Sequence, residues 1–182
     1  MHLPPLPTSR RQFLRRASAL ALTVLPATAL WARSTASRSL SFVHTHTGER
    51  LSSVYFQDGQ YLGAELERIN HVLRDFRTGD VHRIDPGVLD ILADLRVLAA
   101  RDEAFEVICG YRSPETNAAL RRRSSGVAEH SLHLEGRAID VRLPGVPTAR
   151  LRELALGMSR GGVGFYPASD FVHLDNGRIR YW

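Results

Sequence analysis

Two short segments constrain the fold and the chemistry of this chain more than any other part of its sequence. The first, Ser131–Asp140, reads S-L-H-L-E-G-R-A-I-D, and the second, about thirty residues later, reads D-F-V-H and ends at His173. Together they supply two imidazoles and a carboxylate, with a further acid, Asp170, three residues before the second histidine. Three protein ligands leave the fourth position of a zinc ion for water, and the remaining acid can accept that water's proton. The pattern therefore predicts a hydrolytic zinc site.

Alternation of apolar and polar residues places two of the candidate ligands on one side of a predicted sheet. In the predicted strand 137–143, Asp140 lies on the face opposite the branched apolar side chains, and His173 does so in the strand 171–175. Because the apolar faces should pack on helices, both polar side chains should point to the open side of the sheet. His133, in the loop that enters the first strand, can complete the set.

The rest of the sequence predicts one α+β domain. Strands are predicted at 40–45, 51–56, 105–109, 137–143, 161–166, 171–175 and 178–181. Helices are predicted from Leu62 to Phe76, from Asp85 to Leu98, for about two turns after Ser113, and near 148–159. The pair Asn176-Gly177 is typical of a tight β-turn, so the last two strands should pair with each other as a hairpin.

The N-terminal residues predict an export signal. Ser9-Arg-Arg-Gln-Phe-Leu14 precedes the apolar stretch 17–25 and the small-residue tripeptide Ala27-Thr-Ala29. This order is typical of a bacterial twin-arginine signal. An ordinary secretory signal and an uncleaved anchor are the alternatives, but the apolar run is short and Pro26 interrupts it.

From these features we expect the chain to consist of three parts and the mature protein to reside in one compartment. A signal peptide at 1–29 should be followed by a flexible lead-in at 30–38 and a single domain at 39–182. We expect the protein to be exported to the periplasm by the twin-arginine pathway, with no membrane span after processing.

Charge and cysteine content exclude two classes of protein. The signal carries four arginines and no acid, so its removal lowers the formal net charge from +5 to about +1. The basic pI therefore does not indicate nucleic-acid binding, and the run 121–123 is interpreted as a solvated helix end or a contact with anionic wall polymer. A single cysteine excludes an internal disulfide framework. We interpret Cys109 as a buried structural residue, with a catalytic thiol or a metal ligand as the alternatives.

The pattern S-x-H-x-x-G-x-A-x-D followed by acid-x-x-H is similar to that of the LAS-type zinc peptidases. That group includes D-Ala-D-Ala carboxypeptidases and dipeptidases, phage L-alanyl-D-glutamate endopeptidases and hedgehog-like domains. From about residue 40 onward the chain resembles the murein endopeptidase K-like branch, through segments 46–49, 84–86, 110–113, 161–167 and Trp182. The resemblance implies an antiparallel sheet backed by helices, one zinc ion per chain, and peptidoglycan cross-link peptides as substrate.

The resemblance also implies roles for individual residues. The zinc ligands match His133, Asp140 and His173. Asp170 matches the general base, and Arg112 matches an arginine that holds substrate or stabilises the oxyanion. Ser131 matches a serine lining the substrate site. For Arg112 the alternative is an ion pair at the start of the third helix, and for Ser131 it is a loop hydrogen bond.

Several other polar or aromatic side chains remain open to more than one interpretation. They are the pair His44 and His46, the flanking residues Glu129 and His130, the rival base Glu135, the ligand-orienting candidate Asp175, and the wall candidates Tyr166 and Trp182. The sequence as a whole predicts a zinc-dependent murein endopeptidase. A D,D- or L,D-carboxypeptidase or dipeptidase on stem peptides, or a non-catalytic zinc-containing wall-binding module, are the alternatives.

Overall fold

The computed structural model describes residues 37–124 and 126–182. The predicted signal at 1–29 lies outside the described residues, as does most of the predicted lead-in, although Arg38 already begins a strand. Among the residues that are described, no helix combines the length and the apolar character that a membrane crossing requires.

Eight strands and four α-helices make up the described part of the chain. In order they are β1 Arg38–His44, β2 Arg50–Gln57, β3 Gln60–Tyr61, α1 Gly63–Val72, α2 Pro86–Leu98, β4 Phe105–Cys109, α3 Pro114–Arg123, β5 Ala138–Arg142, α4 Thr148–Met158, β6 Gly162–Tyr166, β7 Phe171–Asp175 and β8 Arg180–Tyr181. Short 3-10 helices lie at Leu132–Glu135 and Pro167–Ser169.

The strands form one sheet in the order β3-β2-β1-β4-β5-β7-β6-β8. The predicted α+β class is confirmed, but the sheet is mixed, since β1 pairs with β4 and β6 with β8 in parallel. A parallel pair needs a long crossover, and α1 and α2 supply it between β1 and β4. The other five pairings are antiparallel.

Three helices contact the sheet: α1 at β2, α2 at β1 and β7, and α4 at β6 and β7. The central strands contribute alternate side chains to this core, including Val107, Ile139, Val141, Val172 and Leu174, all of which are buried. Burial of each such side chain contributes about 1.5–3 kcal/mol. The opposite face is left free for polar groups at its centre.

Sequence signals at helix starts are confirmed by the caps. The Asp85 carboxylate accepts a hydrogen bond from the N–H of Gly87 at 2.8 Å, and a proline begins α2. Ser113 accepts one from the N–H of Thr116 at 3.2 Å, and α3 then runs for ten residues, longer than predicted.

The predicted helix from Leu62 to Phe76 is wrong at its end, because α1 stops at Val72. Asp75 redirects the chain there. Its carboxylate accepts hydrogen bonds from the backbone N–H groups of Arg77 and Ser113, both at 2.9 Å. The segment after α1 is thereby tied to the start of α3, which a continued helix would not permit.

The predicted hairpin at Asn176-Gly177 is also wrong. Strand β7 pairs with β5 on one side and β6 on the other, so no edge remains for β8, which instead pairs with β6. Neither turn residue has the positive φ that a type I′ turn requires. The carboxylate of Asp175 accepts the N–H of Gly177 and directs the chain away from β7.

His44 is a buried imidazole on β1. Its Nδ1 accepts a hydrogen bond from the N–H of His46 at 3.2 Å, and its Nε2 has no partner among the described residues. Burial is the main cause that lowers the pKa of His44, and His46 and Arg74 lower it further, against an opposing effect of Glu49. The fold therefore accepts this side chain in its neutral form.

This environment predicts a pH-dependent loss of stability. The unfolded chain protonates His44 near pH 6.5, whereas the folded chain does so only at lower pH. The contribution of His44 should therefore be complete above about pH 6.5 and be lost as the pH falls through the lower, folded pKa. Urea unfolding between about pH 5 and 8, with a chelator present throughout, measures this.

The substitution His44→Gln should make the free energy of unfolding fall less steeply towards acid pH. The exposed residue His130 offers a matched control, and His130→Gln should keep the wild-type slope. Equal slopes for all three proteins would contradict the assignment.

Candidate metal centre

Three side chains converge on one point at the centre of the open face. His133 Nε2 lies 3.1 Å from His173 Nδ1 and 3.2 Å from Asp140 Oδ1, and the last two atoms are 2.9 Å apart. All three side chains are buried. Tetrahedral zinc bonds of about 2.0–2.1 Å place neighbouring ligand atoms about 3.3 Å apart. The spacing therefore suits three ligands of one divalent ion.

Sheet register brings two of these side chains together. Asp140 on β5 stands directly opposite His173 on β7, and His173 stands opposite Gly164 on β6. Directly paired residues project to the same face. The glycine leaves room beside the imidazole for the indole ring of Trp182.

His133 reaches the same point from the 3-10 helix before β5. Ser131 caps that helix by accepting the N–H of His133 at 3.4 Å, and Gly136 ends it with φ +65°. The loop after β4 fixes the residue at two atoms. The carbonyl of Gly110 lies 2.7 Å from His133 Nδ1, and the N–H of Arg112 donates to the carbonyl of His133 at 3.1 Å.

Hydrogen bonds also determine which ring nitrogens carry protons. A carbonyl only accepts, so His133 Nδ1 must donate to Gly110, and in the neutral ring the lone pair is then on Nε2. The carboxylate of Asp175 lies 3.0 Å from His173 Nε2, and this contact leaves the lone pair on Nδ1. Metal-binding histidines are held by such partners. The donor set of two neutral imidazoles and a carboxylate therefore fits zinc.

Without a metal ion, the cluster holds charges of both signs. Burial alone would lower the pKa of His133 and raise that of Asp140, but the two side chains outweigh it. Asp140 raises the pKa of His133 well above its usual value, and His133, with His173, holds the pKa of Asp140 well below its usual range. Burial would likewise raise the pKa of Asp175, and hydrogen bonds from His173, Gly177 and Gly162 lower it instead. Both side chains are therefore anionic, as a ligand and a histidine partner need to be.

Cys109 lies next to this cluster, where sequence reasoning did not place it. It is buried, as predicted, and its Sγ lies within 4.8 Å of the ligand atoms of His133 and Asp140. A break in the β4–β5 register between Val107 and Cys109 sets the cysteine opposite Asp140. Simple alternation would have kept it on the core face with Val107, so only the bulge reveals the contact.

A cavity of about 540 Å³ opens over the three side chains. Tyr166, Phe171 and Trp182 form an aromatic wall on one side, with the first two rings stacked at 4.6 Å. Trp182 Nε1 donates to the Tyr166 hydroxyl at 2.8 Å, and its ring centre lies 5.2 Å from that of His173. The volume is in the range of small-ligand sites.

Arg112 and Ser131 both line the cavity. Arg112 Nη2 lies 3.8 Å from Asp140 Oδ2, and Nη1 donates to Asn117 of α3 at 3.3 Å. Arg112 therefore contacts both α3 and the cluster. For Ser131, the cap on the 3-10 helix and a position on the cavity wall coexist.

Asp170 is not among the residues that line this cavity. It lies at the end of the second 3-10 helix with φ +51°, and its carboxylate accepts a hydrogen bond from Thr148 at 3.0 Å. Arg142 Nη1 lies 3.6 Å from the other oxygen, and the side chain is 62% exposed. The sequence places the acid near the second histidine, while the structure directs it towards the start of α4.

The remaining candidates divide into two groups. His130, Tyr166 and Trp182 line the cavity. The others contact residues outside the cluster: Glu135 pairs with Arg137, Glu129 pairs with Arg121, and His46 stacks on Phe76.

Comparison with known proteins identifies close relatives. Residues 32–182 match the family model described as peptidoglycan L,D-endopeptidase MepK. The chain is 42% identical over 166 residues to the probable peptidoglycan L,D-endopeptidase MepK of Haemophilus influenzae, covering 90% of this chain and 89% of the relative. It is 41% identical over 165 residues to peptidoglycan L,D-endopeptidase MepK of Escherichia coli K12, covering 90% and 91%. No solved structure gives a significant match.

The contact between Gly164 and Trp182 gives a testable consequence of this geometry. A Cβ atom at residue 164 would lie 2.7–2.9 Å from atoms of the Trp182 indole, which must then move. Gly164→Ala should therefore destabilise the protein by about 1–3 kcal/mol, as overpacking does. Chemical denaturation measures the change.

Gly157→Ala is the matched control. Gly157 is exposed on α4, and nothing lies within 4 Å of the added Cβ. The substitution should stabilise by up to about 1 kcal/mol, because alanine favours the helix. If Gly164→Ala is as stable as the wild type or more so, the packing of Trp182 against Gly164 is not a constraint.

Proposed function

This chain belongs to the family described as peptidoglycan L,D-endopeptidase MepK, and we propose that it hydrolyses peptide cross-links of bacterial murein with one bound zinc ion. The observation that carries the proposal is the convergence of three ligand atoms within 3.2 Å of one another at the base of a cavity. The cavity leaves room for a peptide bond beside these three atoms.

His133, Asp140 and His173 are proposed as the ligands. When bound in such a site, zinc lowers the pKa of its water to about 7 and polarises the scissile carbonyl. Gly110 and Asp175 hold the two rings in orientations that turn His133 Nε2 and His173 Nδ1 towards the ion. Metal binding would therefore release the proton that Asp140 retains on His133, with little movement of the protein.

Arg112 is proposed to stabilise negative charge on the substrate. Its guanidinium, only 12% exposed, lies beside Asp140 on the cavity wall. A fixed cation at this position can offset charge that grows on the carbonyl oxygen, or can hold a free carboxylate of the peptide. Ser131, on the same wall, is proposed to contact the substrate through its hydroxyl.

Asp170 is proposed as the proton acceptor because of its position three residues before His173, which matches the family's base. To act there, its carboxylate must leave its contacts with Thr148 and Arg142 and turn into the cavity. His130 is the second candidate, and its place on the cavity wall favours it. Either side chain would take a proton from the attacking water and return it to the leaving amine.

Two variants decide between these bases. If Asp170 is the base, Asp170→Ala should retain one zinc per chain and lose about 100- to 10,000-fold in the rate of muropeptide cleavage, with His130→Ala close to wild type. Mass spectrometry of muropeptides released from purified sacculi measures the rate, and metal analysis measures zinc. The opposite ranking would assign the role to His130.

His133→Ala serves as the control that removes a ligand, and it should lose both zinc and cleavage. Zinc-loaded wild type that releases nothing from any murein preparation would support a wall-binding module instead. Products trimmed only at free peptide ends would indicate a carboxypeptidase. Product masses also distinguish 3-3 from 4-3 cross-links.

A murein substrate requires the enzyme to work outside the cytoplasm, and we propose twin-arginine export to the periplasm for this chain. The support is the arginine pair before the apolar stretch and the small-residue cleavage site. This route carries folded proteins, which suits a protein that acquires its metal before export.

Arg10→Lys together with Arg11→Lys should leave the precursor in the cytoplasm, because the pathway reads the paired arginines. Immunoblots of periplasmic and cytoplasmic fractions measure the distribution. A control with Arg15→Lys and Arg16→Lys, outside the pair, should be exported normally. Unchanged export of the first variant would contradict the twin-arginine assignment.

A further inference from the structure

Asp175 is the most heavily hydrogen-bonded carboxylate around the proposed ligands, and its side chain is 0% exposed. Oδ2 lies 3.0 Å from His173 Nε2, while Oδ1 accepts the N–H of Gly162 at 3.0 Å and that of Gly177 at 2.8 Å. The orientation of this carboxylate therefore sets the rotation of the His173 ring. It also sets where Nδ1 of that ring points.

Arg180 fixes that orientation through both carboxylate oxygens. Its Nη1 donates to Oδ1 of Asp175 at 3.1 Å, and its Nη2 donates to Oδ2 at 2.8 Å. Such two-point contacts between a guanidinium and a carboxylate fix the orientation of the carboxylate and also balance its charge. The Nη2 contact is to the same oxygen that holds His173.

The surrounding sequence is adapted to this pair. A Cβ at Gly162 would lie 2.3 Å from Asp175 Oδ2 and 2.7 Å from Arg180 Nη1, so only glycine leaves room for both. The Arg180 guanidinium carbon lies 5.1 Å from the centre of the Trp182 ring, which in turn contacts His173. The arginine is thus packed between its carboxylate and the aromatic wall.

We propose that Arg180 is a positioning residue of the metal centre, acting through Asp175 to fix the ring of His173. The inference rests on the proposed function insofar as His173 is taken as a metal ligand. With arginine removed, Oδ2 is held by His173 alone, and a buried carboxylate loses its compensating charge. Gly162 and Gly177 still hold Oδ1, so the carboxylate can pivot about that oxygen and carry the ring of His173 with it. The donor set is then held less firmly in its preformed geometry.

Metal affinity measured by competition with a chelator tests the proposal directly. Arg180→Gln should weaken zinc binding by about 10- to 100-fold, the usual effect of removing a partner of a ligand. The visible spectrum of the cobalt-substituted protein should also change, because the ligand field depends on the direction of His173 Nδ1. Thermal unfolding of the metal-free variant checks that it folds.

Arg180→Lys is the variant expected to disturb folding least. It separates the orientation of the Asp175 carboxylate from the compensation of its charge. Lysine keeps the positive charge but cannot span both oxygens. Metal binding should therefore be weaker than in wild type here as well, and wild-type affinity in this variant would overturn the proposal.

Arg178→Gln is the matched control. Arg178 is exposed in the same segment and loses the same charge when substituted, so it should keep both the affinity and the spectrum of wild type.

Kinetics add a readout that separates positioning from substrate contact, since Arg180 also lines the cavity. Loss of metal affinity with a lower kcat supports positioning. A higher KM with wild-type metal affinity and spectrum would assign Arg180 to substrate binding and overturn the proposal. The metal measurements need no murein, so a protein that binds metal through this device yet cuts no cross-link would refute the proposed function alone.

Discussion

The backbone ladder between β5 and β7 sets Asp140 opposite His173, and the candidate metal centre depends on that register. On the other face the same ladder places Val141 opposite Val172, both buried in the core. A slip by one residue would expose the valines and drive the carboxylate into the core. Hydrophobic burial on one side of the sheet therefore maintains the chemical arrangement on the other.

Much of this arrangement could be predicted from the sequence. Period-two alternation is a local property, so it assigns Asp140 and His173 to the open face without knowledge of the fold. The position of Cys109 could not be obtained in this way, because a bulge after Val107 moves it to that face. A bulge depends on how two strands meet, and neither strand alone carries a clear signal for it.

Two other sequence-based predictions that differ from the structure concern Asn176-Gly177 and Asp170. In both places, contacts with neighbouring elements compete with the local preference, and a local sequence pattern does not show those contacts. Asn176-Gly177 suits a hairpin, but β7 has no free edge, and the carboxylate of Asp175 captures the N–H of Gly177. Asp170 has the right spacing from His173, but a left-handed backbone after a 3-10 helix turns its side chain towards Thr148. The spacing of two residues in the sequence fixes their distance along the chain, whereas the direction of a side chain depends on the neighbouring elements.

Arg180 lies in β8 and Trp182 directly follows it, so one short strand carries both the contact with Asp175 and the indole of the aromatic wall. That strand lies at the edge of the sheet and pairs with β6 alone. Fraying of β8 would therefore disturb the surroundings of His173 while the β5–β7 ladder, and with it the register of Asp140 and His173, stays intact.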